Sequence, residues 1–228
     1  MTNYIPMKTL RYFTVLALIA CLFSCKDKDV NKAPLKDLTP FIIKGRIDLG
    51  TGRDNPFLLH PVDNSVAKLF YYGYEYTFNY TLDKGRFNSE VDFPLIGKVN
   101  LTAEFRDSTV INPRFVTQSD NTSYPITEAL LLKKPSQNEF AGKTFRSGIA
   151  FGYKFIRLQF ASGGSPSYST AFEGNGLWGV STNYTLFYNM ACVSNPSGVL
   201  QHGILVNGEL EALLTVGGQS AWVKLKEE

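Results

Sequence analysis

The chain has 228 residues, 44% of them hydrophobic and 14% aromatic, with a formal net charge of +3. No block of like charges occurs beyond its first 39 residues, so the electrostatic footprint of a nucleic-acid-binding protein is missing. Three cysteines and two histidines are too few for a Cys-rich disulfide framework, and no metal site or other cofactor is expected.

Lys8 and Arg11 form a basic start, and Tyr12 to Ser24 carries no charge. The apolar stretch from Tyr12 to Phe23 would be roughly 18 Å long as a helix, too short to span a bilayer and suited to a signal peptide. It ends in Leu22-Phe23-Ser24-Cys25, which looks like the lipobox of a bacterial lipoprotein. That resemblance implies removal of residues 1–24 and acylation of the Cys25 thiol, which would hold the chain on a lipid bilayer. Residues 25–39, with Lys26-Asp27-Lys28-Asp29 and few bulky apolar groups, read as a flexible tether.

The remainder divides into an N-terminal β half, 40–134, and a C-terminal β half, 140–228. Tyr74, Tyr76, Phe78, Tyr80 and Leu82 alternate with Glu75, Thr77, Asn79 and Thr81, the period of a half-buried strand. Asp83-Lys84-Gly85 turns it into a returning strand from Arg86 to Val91. Val99, Leu101, Ala103 and Phe105 alternate in the same way. Asp107-Ser108-Thr109 ends that strand, and Val110 to Gln118 is its partner, with Pro113 marking an edge or bulge. Pro125 to Lys133 follows as one strand, and His60-Pro61 reads as a loop.

In the second half, Lys143–Ala150, Lys154–Ala161, Tyr168–Glu173, Leu177–Thr182, Tyr184–Val193, Leu200–Val206, Glu209–Val216 and Ala221–Lys226 read as strands. The turns between them are explicit, Asn207-Gly208 most of all, because both residues tolerate positive φ. No segment carries a capped 3.6-residue stripe, so the fold is all-β, an antiparallel β-barrel or β-sandwich. Asn79-Tyr80-Thr81-Leu82 recurs as Asn183-Tyr184-Thr185-Leu186, Gly97-Lys98-Val99 has a counterpart in Gly208-Glu209-Leu210, and Gly45-Arg46 in Gly142-Lys143. Two similar β halves would produce such pairs.

Phe140-Ala141-Gly142-Lys143-Thr144-Phe145, Asn183-Tyr184-Thr185-Leu186 and Leu205-Val206-Asn207-Gly208-Glu209-Leu210-Glu211 resemble a module of Bacteroidetes lipoproteins of unknown function. The similarity covers roughly residues 135–228. It implies a lipocalin-like C-terminal half and an outer-membrane lipoprotein, on the periplasmic face or at the cell surface, with no catalytic residues to carry over. Asp107-Ser108-Thr109 fits the pattern used for O-glycosylation in that phylum, on Ser108.

Chemistry is sparse. Glu104 with Asp107, or Glu209 with Glu211, could pair for glycosidic work, but residues two apart on the wet face of a strand are ordinary. His60 and His202 lack neighbours at ligand spacing and read as structural. Cys192, in an apolar run, reads as a small core hydrophobe. Binding is the better expectation for a non-enzymatic protein. Tyr71, Tyr72, Tyr74, Trp178 and Tyr184 fall near strand ends, and Trp222 enters the last strand. Their rings could stack on a glycan or line an apolar cavity at a barrel mouth, with Trp178 and Trp222 flanking one opening. A sheet edge gripping an outer-membrane protein partner is the alternative.

Overall fold

The computed structural model describes residues 33–49, 52–94, 96–173, 179, 181–194 and 198–228. Cys25, the leader, Trp178 and Leu177 lie outside the described residues, as does most of the expected tether. Every regular element described is a strand. The first sheet comprises β1 (Phe41–Ile47), β2 (Asn55–Pro61), β3 (Val66–Tyr71), β4 (Tyr74–Asp83), β5 (Arg86–Phe93), β6 (Gly97–Arg106), β7 (Thr109–Thr117), β8 (Ser123–Pro125) and β9 (Thr127–Lys133). Its order is β8-β7-β6-β5-β4-β3-β2-β1-β9, antiparallel throughout. The two edge strands, β8 and β9, are joined by Ile126 alone, so the sheet must roll until its edges meet.

The second sheet comprises β10 (Thr144–Ser147), β11 (Ile156–Phe160), β12 (Ser167–Phe172), β13 (Thr182–Phe187), β14 (Ala191–Ser194), β15 (Leu200–Val206), β16 (Glu209–Val216) and β17 (Gln219–Glu227). Each strand pairs with the next, and β10 also pairs with β17, closing an up-and-down barrel. The chain is therefore two antiparallel barrels in succession, the lipocalin-like alternative rather than the sandwich. Asn79–Leu82 lies in the fourth strand of the first sheet and Asn183–Leu186 in the fourth strand of the second. The other pairs do not correspond: Gly45 sits inside β1 and Gly142 precedes β10, while Gly97 opens a sixth strand and Glu209 a seventh.

Strands with one wet face follow the alternation. Phe78 and Tyr80 of β4 are buried, and Thr77, Asn79 and Thr81 are exposed. Lys84 and Gly85 have φ of 48° and 80°, the two-residue turn expected between β4 and β5. A Cβ on Gly85 would fall 2.5 Å from the Phe105 carbonyl oxygen and 3.0 Å from Pro34 Cβ, so only glycine fits there. Asn207 and Gly208, at 51° and 76°, make the hairpin between β15 and β16.

Three expectations are corrected. Tyr184–Val193 is two strands, because Tyr188 and Asn189 turn the chain at φ of 52° and 62° without a glycine. Pro125–Lys133 breaks at Ile126, where the chain leaves one edge of the sheet and joins the other. His60 belongs to β2, not to a loop. Pro113 does sit in a bulge, where the pairing of β6 with β7 shifts between Thr102 and Glu104.

Both barrels are filled by their own side chains. Phe57, Leu59, Leu69, Phe87, Leu101, Phe105 and Phe115 pack the first, leaving a void of about 10 Å³, at most one water. Phe140, Phe145, Phe160, Tyr168, Leu210 and Leu225 pack the second. Cys192 is fully buried there, and burial raises its thiol pKa, as suits a core residue.

A third core lies between the barrels. Ile42, Leu58 and Phe70, on the outer faces of β1, β2 and β3, meet Met190, Ala191 and Ile204 of the second barrel. Beside it, Lys44 Nζ donates to Glu211 Oε1 at 2.8 Å, and Arg46 donates to the other oxygen of the same carboxylate. Lys44 also reaches Glu128 at 3.1 Å. Glu211 is thus a buried counterion and not a residue of a wet face, while Glu209 pairs with Lys224 at 3.0 Å.

Removing one partner of such a cluster leaves the others charged and dry. Glu211→Gln should lower unfolding stability by about 3 kcal/mol, read as a shifted urea midpoint at unchanged slope. A loss below about 1 kcal/mol would mean that the cluster is solvated like a surface pair.

Candidate functional site

Up-and-down connectivity sends successive loops of the first barrel to alternate ends. One end carries Asp63-Asn64-Ser65, Lys84-Gly85 and Asp107-Ser108, mostly polar tips. The chain also enters there, since Pro34 bridges to Arg106 and the Leu35 amide donates to the Phe105 carbonyl at 3.0 Å. The other end carries Leu49, Tyr72-Gly73, Pro94 and Ile96, together with the polar loop from Gln118 to Thr122. Apolar residues at hairpin tips are unusual, because tips face water and favour Asn, Asp and Gly.

At that second end, Tyr72 and Gly73 close the hairpin between β3 and β4 with φ of 51° and 82°. A two-residue turn of this kind ordinarily begins with Asn, Asp or Gly, and a bulky residue there costs on the order of 1 kcal/mol. Tyr72 is 47% exposed and Tyr74 is 66% exposed. Tyr74 and Tyr76 share the inward face of β4 by strand period. The Tyr76 ring lies 4.8 Å from that of Phe93, and Tyr71 meets Phe93 edge-on at 6.1 Å. With Leu49, Tyr72, Glu75, Pro94 and Ile96, these residues line a cavity of about 650 Å³ at the mouth of the barrel. Its size is that of a small-molecule site.

Behind the wall lies a second layer of rings. His202 of β15 touches Tyr72 edge-to-face at 5.4 Å and Trp222 of β17 at 4.9 Å. A Cβ on Gly73 would stand 3.3 Å from His202 Nδ1, so glycine lets the hairpin close on this imidazole. Trp222 donates its indole N–H to Asn55 Oδ1 at 2.7 Å, and Asn55 donates to the Tyr71 hydroxyl at 3.3 Å. On the outer side, Glu75 accepts from Lys68 at 2.8 Å and from the Tyr188 hydroxyl at 2.6 Å. Burial alone would raise the Glu75 pKa, but these two donors outweigh it and hold the carboxyl below its ordinary range. Burial raises the phenol pKa values of Tyr71 and Tyr76, so both stay protonated.

No family model, no curated protein and no solved structure matches this chain.

Of the aromatics singled out in the sequence, the fold brings Tyr72 and Tyr74 together at the cavity, and Trp222 stands one ring behind them. Trp222 lies against the first barrel, not at an open rim. Tyr184 is elsewhere, buried in the second barrel between Phe140 and Phe160, with its hydroxyl accepting from Asn138 at 3.1 Å. Trp178 lies outside the described residues. Ser108 is exposed at a turn on the polar end. Leu49, Phe93, Pro94 and Ile96 were not anticipated, although the apolar stretch Phe93 to Ile96 between two strands is itself a departure from turn chemistry.

Two imidazoles are held neutral at the junction of the barrels. Burial lowers the His202 pKa to about 4, and its Nε2 has no hydrogen-bond partner among the described residues. Burial, then Lys134 and Lys68, lower His60 to about 4 where it packs on Tyr188 at 4.3 Å. An unfolded histidine titrates near 6.5, so the unfolded chain binds more protons between about pH 6.5 and 4. Stability that is complete above about pH 6.5 should therefore fall as pH drops through that window. His202 is only 5% exposed, and its share approaches about 1.4 kcal/mol per pH unit. Denaturant titrations at about pH 7 and about pH 5 should show the loss, and His202→Asn should remove much of it.

Proposed function

We propose that this chain is a lipoprotein of a bacterial cell envelope, held by acylated Cys25, which binds a small ligand at the mouth of its first barrel. The observation that carries the binding reading is the concentration of tyrosines around one cavity of about 650 Å³. Tyr72 is placed there at a φ that disfavours it, and backbone strain of this sort collects at functional positions. The filled barrel interiors direct a ligand to the mouth and not to a lumen. The reading is non-enzymatic: Glu75, the acidic residue of the lining, is committed to Lys68 and Tyr188, and Glu211 is an internal counterion. The leader and Leu22-Phe23-Ser24-Cys25 support the anchor.

Two measurements test the two parts. Metabolic labelling with an alkyne fatty acid should mark the wild-type chain and leave Cys25→Ser blank, and label on the serine variant would remove the anchor. Small molecules released on denaturing protein purified from its native membrane should include a species depleted about tenfold in a Tyr72→Asn, Tyr74→Ala variant. Asn suits the left-handed position at 72, so loss of fold is not expected to mimic loss of binding.

A second reading, a subunit of an outer-membrane assembly, is favoured by one feature. Ile149, in the connection from β10 to β11, is 85% exposed, with Tyr153 partly exposed beside it. A partner recovered from detergent with wild-type protein and lost with Ile149→Asp would move the assignment towards that reading.

A further inference from the structure

We infer that the cavity is built for a hydrocarbon ligand, of the fatty acyl class, and not for a glycan; this rests on the binding site proposed above. The deciding matter is which polar side-chain groups remain available in the lining. The Tyr71 hydroxyl already accepts from Asn55, and both Glu75 oxygens already accept, one from Lys68 and one from Tyr188. What these groups can still offer is the Tyr71 hydroxyl hydrogen and a second lone pair on each Glu75 oxygen, with the hydroxyls of Tyr72, Tyr74 and Tyr76, set against walls of Leu49, Phe93, Pro94 and Ile96. A sugar presents hydroxyls around its whole ring, and each one buried without a partner lowers affinity by roughly tenfold. A hydrocarbon chain carries no such groups and gains from every apolar atom removed from water.

Ring geometry agrees. A sugar stacks on a flat, open aromatic face. Here Tyr76 tilts 51° onto Phe93, Tyr71 meets Phe93 at 84°, and Tyr72 leans on Tyr71 at 42°. The faces of Tyr71, Tyr76 and Phe93 are turned largely on one another and make a continuous apolar wall, while Tyr74, 66% exposed, keeps an open face at the rim. The tips differ between the two ends of the barrel. The end where the chain enters is tipped by Asp, Asn, Ser and Lys, whereas at the mouth Leu49, Tyr72, Pro94 and Ile96 stand beside one polar loop, Gln118 to Thr122.

The experiment uses the full-length protein in its native membrane. A sixteen-carbon fatty acid bearing a diazirine and a glucose oligomer bearing the same group are each photolysed with it, and adducts are mapped by mass spectrometry. The tryptic peptide 69–84 holds Tyr71, Tyr72, Tyr74 and Tyr76. The fatty acid probe should modify this peptide, unlabelled fatty acid should compete, and Ile96→Asp should cut the yield about tenfold. Competed labelling of 69–84 by the sugar and not by the fatty acid would overturn the ligand class and leave the site standing. If neither probe labels 69–84 above the uncompeted background, the site itself fails, and this inference fails with it.

Discussion

Glu211 lies at the seam where the outer faces of β1, β2 and β3 meet the second barrel, and it is what allows Lys44 to be buried and Arg46 partly buried there. A barrel has only one inside, so packing two of them side by side requires some strands to be buried on both faces. Ile42, Leu58 and Phe70 supply the apolar part of that contact, and the ion cluster supplies its direction. Apolar surfaces slide past each other at little cost, whereas a carboxylate divided between two particular cations holds in one register. Two further polar ties run across the same seam, from Trp222 to Asn55 and from Tyr188 to Glu75.

The mouth cavity inherits its shape from this contact. Tyr72 leans on His202, which comes from the second barrel, and Asn55 links Trp222 to the Tyr71 hydroxyl. The wall of the cavity is thus made by the first barrel and braced by the second. A domain cut after Lys133 would keep every lining residue and lose the brace. The neutral imidazole of His202 suits such a place, since a charged one would sit among Phe70, Tyr72 and Trp222 with little water to solvate it.

What could be read in the sequence follows from the same division of faces. In β4 one side is dry and the other wet, so side chains alternate and the strand announces itself; the turns closed by Gly85 and Asn207-Gly208 are equally plain. In β1, β2 and β3 both sides are dry, and Phe41-Ile42-Ile43, Phe57-Leu58-Leu59 and Leu69-Phe70-Tyr71 run on without a polar beat. His60, at the end of such a run and before a proline, carries no alternation that marks it as a strand residue. The turn at Tyr188-Asn189 was missed because the residue that adopts positive φ first is a tyrosine, held there by its contacts with His60 and Glu75. Tyr72 and Tyr74 could be found as aromatics near a strand end. Phe93 and Ile96 could not be joined to them, because that contact depends on the register of β4 with β5 and of β5 with β6, which no local pattern specifies.

Pro34 meets the first barrel at the end away from the tyrosines, with β4 and β6 running the height between them. Ten residues at about 3.3 Å each place roughly 30 Å between the point of attachment and the opening, less whatever the strands tilt. The described residues ahead of β1, Pro34 to Pro40, therefore stay at the polar end of the first barrel and leave the tyrosine mouth uncovered.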